Sequence, residues 1–220
     1  MMIVPAVLAT TEQQFREQCN ILLPLSPRIQ IDIADGLLVP NTTVSTDYIV
    51  KYLKNNKTLF QNHTIDFHLM VQDWESVQKK IIAIRDLVTI GLILIHKLVW
   101  PVDEEPKSYQ CIVYNPSENI DFMLAKKFHT VQIMTIIPGE QGGTFLPDNL
   151  PKIAQLKKKG FQGKILLDGG INSKTLPTVL SQQCLPDMIA VGSYLTTAHD
   201  PKTRFARLEK IMQQNPLLPR

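Results

Sequence analysis

Cysteine is scarce. The three present, Cys19, Cys111 and Cys184, are odd in number, far apart and without a CxxC spacing. That excludes a disulfide framework or a zinc ribbon and makes a reducing cytoplasm the expected setting. Glycine is also sparse, at 10 of 220 residues, and no GxGxxG follows the first apolar run, so a dinucleotide-binding fingerprint is missing. Long hydrophobic stretches are absent as well. The longest, around Ile90 to Ile95, stops at His96, which is too short for a membrane span. The opening residues Met1-Met2-Ile3-Val4-Pro5 lack a basic region ahead of an apolar core, so no export signal is expected. Nor does one sign of charge dominate. Lys plus Arg of 23 against Asp plus Glu of 20 leaves +3, and the densest basic cluster is Lys157-Lys158-Lys159. No nucleic-acid partner is expected from that balance, whereas a small anionic substrate suits it.

What the chain does have is apolar material for one core, 44% hydrophobic against 20% charged residues. One domain over residues 1–220 is therefore expected. Short β-branched runs alternate with longer amphipathic segments, the rhythm of βα units on a parallel sheet. Strands are predicted at Ile3–Leu8, Ile29–Ile33, Thr64–Met70, Ile90–His96, Gln110–Tyr114, Val131–Ile136, Lys164–Asp168 and Met188–Val191. Helices are predicted at Thr11–Leu23, Thr46–Lys54, Trp74–Arg85, Asn119–Lys127, Leu150–Lys159, Ser173–Gln183 and Lys202–Gln213, with Asp73 and Ser173 read as caps. Eight such units in this length point to an α/β fold, a single TIM (β/α)8 barrel with its active site at the C-terminal ends of the strands. A doubly wound open sheet is the alternative. Between His96 and Gln110 two prolines leave little room, so the fourth helix is expected to be shortened.

Three strand ends carry chemistry. In Gln30-Ile31-Asp32-Ile33-Ala34-Asp35-Gly36, a period of two sets Gln30, Asp32 and Ala34 on one face. A charge there needs a partner, whereas Asp35 also suits a turn into Gly36. In Asp66-Phe67-His68-Leu69-Met70, the same alternation aligns Asp66, His68 and Met70, with His68 either a ligand or a satisfied core histidine. Asp168-Gly169-Gly170 ends an apolar strand, where glycines let backbone approach a phosphate or make an ordinary turn. Gly139, Gly142 and the pair Gly192-Ser193 are further candidate anion contacts. The last loops of a barrel are a common phosphate address.

These motifs, in this order, resemble ribulose-phosphate 3-epimerase over nearly the whole chain. The resemblance is carried by Pro5-Ala6-Val7-Leu8, Asp32-Ile33-Ala34-Asp35-Gly36 with Val39-Pro40-Asn41, and Asp66-Phe67-His68-Leu69-Met70-Val71. It continues through Asn115-Pro116, Met134-Thr135-Ile136 with Pro138-Gly139, Asp168-Gly169-Gly170-Ile171 and Gly192-Ser193. It implies interconversion of D-ribulose 5-phosphate and D-xylulose 5-phosphate, with Asp32 and Asp168 as base and acid on opposite faces of C3. It also implies a divalent cation (Zn, Fe, Mn or Co) held by Asp32, His68 and Asp168, with Gln30 standing where the family has a further histidine. Met70 and Met134 would line the site. His68 would also border the substrate, and Gly139, Gly142, Gly169, Gly170, Gly192 and Ser193 would surround its phosphate. A homo-oligomer is implied too. Another phosphosugar as substrate, or sugar-phosphate binding without turnover, are the alternatives. The chain departs from the family at Gln30, a harder and weaker ligand than imidazole, and at Ala6, Ala34, Lys97-Leu98 and Glu140-Gln141. The altered loops at Leu98 and Glu140 are expected to border the substrate.

Overall fold

The computed structural model describes residues 1–101, 103–139 and 142–216. Eight parallel strands, β1 (Met2–Val7), β2 (Arg28–Ala34), β3 (Thr64–Met70), β4 (Thr89–His96), β5 (Gln110–Tyr114), β6 (Thr130–Met134), β7 (Lys164–Asp168) and β8 (Met188–Val191), pair in chain order. β8 pairs back onto β1 and closes the barrel. The open-sheet alternative is thereby excluded. Around the strands run α1 (Glu12–Leu22), α2 (Thr46–Asn55), α3 (Lys57–Phe60), α4 (Trp74–Ile82) and α5 (Phe122–Ala125). Then come α6 (Pro151–Lys158), α7 (Leu176–Leu180), α8 (Ser193–Thr196) and α9 (Pro201–Gln213). No helix among the described residues is long and apolar enough to cross a membrane.

Strands covered on both faces must be apolar on both faces, and two separate clusters result. Ile29, Ile31, Ile33, Phe67 and Leu69 point outward and pack with helix residues such as Ile49, Leu53 and Ile81. Val4, Leu94, Val113, Leu166 and Met188 fill the interior of the barrel. Helix starts follow side-chain chemistry. Thr11, Ser45, Asp73, Asp121 and Asp200 each accept a hydrogen bond from a first-turn backbone N–H of α1, α2, α4, α5 and α9.

Where the elements differ from the sequence reading, local hydrogen bonds explain it. The helix expected over Ser173–Gln183 contracts to α7, and Ser173 is not its cap. Asn172 Oδ1 instead accepts from the backbone N–H of Lys174 and Thr175, an Asx turn that delays the helix to Leu176. The one expected over Asn119–Lys127 contracts to α5, which Asp121 starts. In the fourth unit a 3-10 turn at Lys97–Val99 stands where a helix would be, as the prolines require.

The base of the barrel holds an ion pair between a buried Asp66 and a partly exposed Arg28. Arg28 Nε and Nη2 donate to the two carboxylate oxygens of Asp66 at 2.7 and 2.8 Å, and Leu92 N–H donates to Oδ1 at 2.6 Å. Asp66 is thus committed to structure at the end opposite the active-site mouth. β4 bulges here, with Ile65 opposite Ile90 and Phe67 opposite Ile93, and Gly91 lies inside the bulge. A Cβ on Gly91 would overlap Asp66 Oδ1 and come to 2.6 Å from Thr64 Cγ2. Gly91→Ala is therefore expected to cost about 1–3 kcal/mol by overpacking, visible as a lower urea midpoint. An unchanged midpoint would mean that the bulge has room to spare.

Candidate active site

The barrel register brings the candidate acids together. Asp32 on β2 pairs in register with His68 on β3, and Met134 on β6 with Asp168 on β7. All four line one cleft, together with Met70. His68 Nδ1 lies 3.3 Å from Asp32 Oδ1 and 3.6 Å from Asp168 Oδ2, without the alignment of a hydrogen bond. Gln30 is wholly buried beneath them. Its Nε2 donates to Asp32 Oδ1 at 2.9 Å and to Asp168 Oδ2 at 3.0 Å.

Two further residues, Gln132 and His96, contribute to the site without belonging to the motifs above. Gln132 Nε2 donates to Asp168 Oδ2 at 3.2 Å and to Met134 Sδ at 3.1 Å. The signal was a lone polar residue in Val131-Gln132-Ile133-Met134, in the same parity as Met134. His96, at the end of β4, stacks against His68 with ring centroids 5.0 Å apart, and their Nε2 atoms are 2.9 Å apart. In such a contact one nitrogen donates and the other accepts. When His68 is the donor, its Nδ1 lone pair faces the two carboxylates.

The electrostatics follow from burial and crowding. Burial, reinforced by the charge of Asp32, pushes the Asp168 carboxyl up to about 6. Burial alone would lower the pKa of His68, but the Asp32 and Asp168 carboxylates outweigh it and the net direction is upward. Burial, then His68, pushes His96 down to about 3, which keeps it neutral. Two carboxylates and one imidazole nitrogen, with ligand atoms within 4.8 Å of one another, therefore crowd negative charge where a cation would relieve it. Together with the unsatisfied Nδ1 of His68, this donor set fits a divalent cation.

Loop geometry sets the rim. Thr135 Oγ1 donates to Gly169 O at 2.6 Å and Thr135 N–H to Asp168 O at 2.7 Å, so the ends of β6 and β7 are tied together. Gly169 has φ +120°, and a Cβ there would lie 2.7 Å from Ile136 N, which only glycine avoids. Asn41 Nδ2 donates to Gly139 O at 2.6 Å, and a Cβ on Gly139 would lie 2.8 Å from Val39 Cβ. Val39-Pro40-Asn41 thus straps the loop after β6. Gly139, Gly142, Gly169, Gly170, Gly192 and Ser193 all border the cleft. The neighbouring cavity shares Gly142, Gly170 and Ser193 and is lined by Lys174, Arg204 and Arg207, with no acid among its described residues.

Other expectations resolve differently. Asp35 accepts from the backbone N–H of Leu37, Leu38 and Gln72, a turn and loop anchor. Leu98 is 69% exposed and is not among the described residues that line the cleft, contrary to expectation. The 3-10 turn carries it outward. Ala6 does line the cleft, whereas Ala34 packs with Val39 and Met70. Glu140 and Gln141 lie outside the described residues.

A model of the ribulose-phosphate 3 epimerase family matches residues 2–196. The ribulose-phosphate 3-epimerase of Schizosaccharomyces pombe is 25% identical over 213 residues, covering 91% of this chain and 89% of its own. That of Methanocaldococcus jannaschii is 27% identical, covering 82% and 77%. Among solved structures, 3-hexulose-6-phosphate synthase from Salmonella typhimurium superposes with a TM-score of 0.63 at 13% identity, covering 98% of this chain and 100% of its own. Thiamine phosphate pyrophosphorylase from Pyrococcus furiosus gives 0.61 at 15%, covering 98% and 96%. At such identities these two superpositions speak for the barrel alone. The family match extends from β1 to α8 and takes in every strand that lines the cleft, and by it the chain belongs to the ribulose-phosphate 3-epimerase family.

Proposed function

We propose that this protein epimerises D-ribulose 5-phosphate and D-xylulose 5-phosphate at C3 by two-base proton transfer. The observation that carries the reading is the pair Asp32 and Asp168, brought from β2 and β7 to one cleft around His68. One carboxylate removes the C3 proton, leaving an enediolate, and the other, as the acid, returns a proton to the opposite face. In the reverse direction the roles exchange. Met70 and Met134 give the planar intermediate an apolar floor, and the glycine rim with its cationic neighbour receives the phosphate. Asp32, His68 and Asp168 would hold a divalent cation, zinc, iron, manganese or cobalt, which polarises the ketone and offsets enediolate charge. A cytoplasmic homo-oligomer belongs to the same reading.

The test is proton NMR of ribulose 5-phosphate in heavy water with cation-supplemented protein. Deuterium entering C3 together with the appearance of xylulose 5-phosphate is expected. A second reading, sugar-phosphate binding without turnover or action on another phosphosugar, is favoured by Gln30 bridging the acids where the family has histidine. A folded protein that shows neither signal under any of the four cations would leave that second reading standing.

Cation binding should fall on acidification. In the cation-free site Asp168 takes up a proton as pH drops through about 6, and His68 does so from above its ordinary value of 6.5. Both protons compete with a cation for these atoms. Affinity should therefore drop by roughly tenfold per pH unit for each proton displaced, measured by calorimetry between pH 8 and 5. A flat profile would mean that these side chains do not hold the cation.

A further inference from the structure

Two buried carboxamides at the site spend their donors and strand their acceptors. Gln30 and Gln132 are both wholly buried, and both aim Nε2 at Asp168. Their Oε1 atoms have no hydrogen-bond partner. For Gln30 the orientation is dictated by the acids. An oxygen in the place of Nε2 would face Asp32 Oδ1 and Asp168 Oδ2 at about the same 2.9 and 3.0 Å, a contact between acceptors with no proton to share. A cation held by the carboxylates reverses that preference, because the amide NH₂ would then face positive charge. A half-turn about the last side-chain torsion would bring Oε1 to the cation and satisfy the stranded acceptor.

We propose that Gln30 is a two-position ligand. It is a hydrogen-bonded bridge that holds Asp32 and Asp168 together while the site is empty, and a carbonyl-oxygen ligand once a cation is bound. This rests on the reading of Asp32, His68 and Asp168 as the cation site. The loaded site then offers three oxygens and one imidazole nitrogen, where a histidine at position 30 would offer two of each. Zinc gains most from nitrogen ligands and manganese from oxygens, so the zinc-over-manganese preference should be compressed in this chain.

Chelator-stripped protein would be titrated calorimetrically with Zn²⁺ and with Mn²⁺, as wild type, Gln30→His and Gln30→Leu. The ratio of Mn²⁺ to Zn²⁺ dissociation constants is expected to be at least roughly tenfold smaller in wild type than in Gln30→His. Gln30→Leu should bind Mn²⁺ about tenfold more weakly than wild type, having lost a ligand. Wild-type protein carrying ¹⁵N-glutamine gives a readout independent of any variant's folding. The Gln30 side-chain NH₂ signal should be slow to exchange with solvent when the site is empty, and should shift and lose that protection on saturation with Zn²⁺. Equal ratios in wild type and Gln30→His, tighter Mn²⁺ binding by Gln30→Leu, an unmoved amide signal, or no binding at millimolar cation would each overturn the proposal. Turnover of ribulose 5-phosphate is scored separately. A protein that binds as described without epimerising the sugar sinks the functional reading alone, and one that epimerises with an unmoved Gln30 signal sinks only the ligand exchange.

Discussion

Asp168→Asn is expected to lower the epimerisation rate by about 10³-fold or more, the scale of losing a positioned acid-base group. Deuterium entry at C3 should fall in parallel. The substitution leaves the surrounding hydrogen bonds in place. Asparagine keeps the shape and one carbonyl oxygen, which can still accept from Gln30 and Gln132 as Asp168 Oδ2 does. The ties from Thr135 run to the main-chain carbonyls of Asp168 and Gly169 and are untouched. An unchanged circular dichroism spectrum and an unchanged cation content, with both signals lost, would assign the effect to proton transfer; a lost cation would assign it to the ligand role of Asp168. A loss of less than tenfold would place the second base elsewhere.

Arg28→Met should destabilise the fold by about 3–5 kcal/mol, because it leaves Asp66 buried with no opposite charge. Burial already raises the carboxyl of Asp66, and Arg28 with the Leu92 N–H pulls it back only in part. For a chain of this length the loss corresponds to a fall in Tm of roughly 6–20 °C. The double variant Arg28→Met with Asp66→Leu should recover much of it, since replacing a whole buried pair by packed apolar groups is often neutral. Failure of the double variant to recover would mean that the acceptor for Leu92 N–H matters more than the charge.

Much of this was legible in the amino-acid order. β-branched runs on a sheet covered on both faces announce themselves, and β3, β5, β7 and β8 begin and end where the sequence put them. Strand parity placed Asp32 with Gln30, and the cleft brings Asp32, His68, Met70, Met134 and Asp168 together. Helix ends were less legible, because they depend on competing side-chain acceptors such as Asn172 and Asp121. Parity also cannot say at which end of the barrel a residue lies relative to its neighbours. Asp66 shares a face with His68 yet serves the base, where the stagger of β2 brings Arg28 to it. Gln132 shows the converse. Its polarity inside an apolar strand was visible, but its partner Asp168 lies on the next strand, and pairing across strands is a property of the closed sheet.

The interior apolar cluster of Val4, Leu94, Val113, Leu166 and Met188 has one more consequence. It works as an insulating plug. The hydrogen bonds to the Asp66 carboxylate come from Arg28 and Leu92 and those to the Asp168 carboxylate from Gln30 and Gln132, with no donor in common. With no shared donor, the effects of Arg28→Met and Asp168→Asn on stability should add to within about 0.5 kcal/mol. A barrel wired this way can exchange its stem for durability while its mouth is retuned for another cation or another sugar.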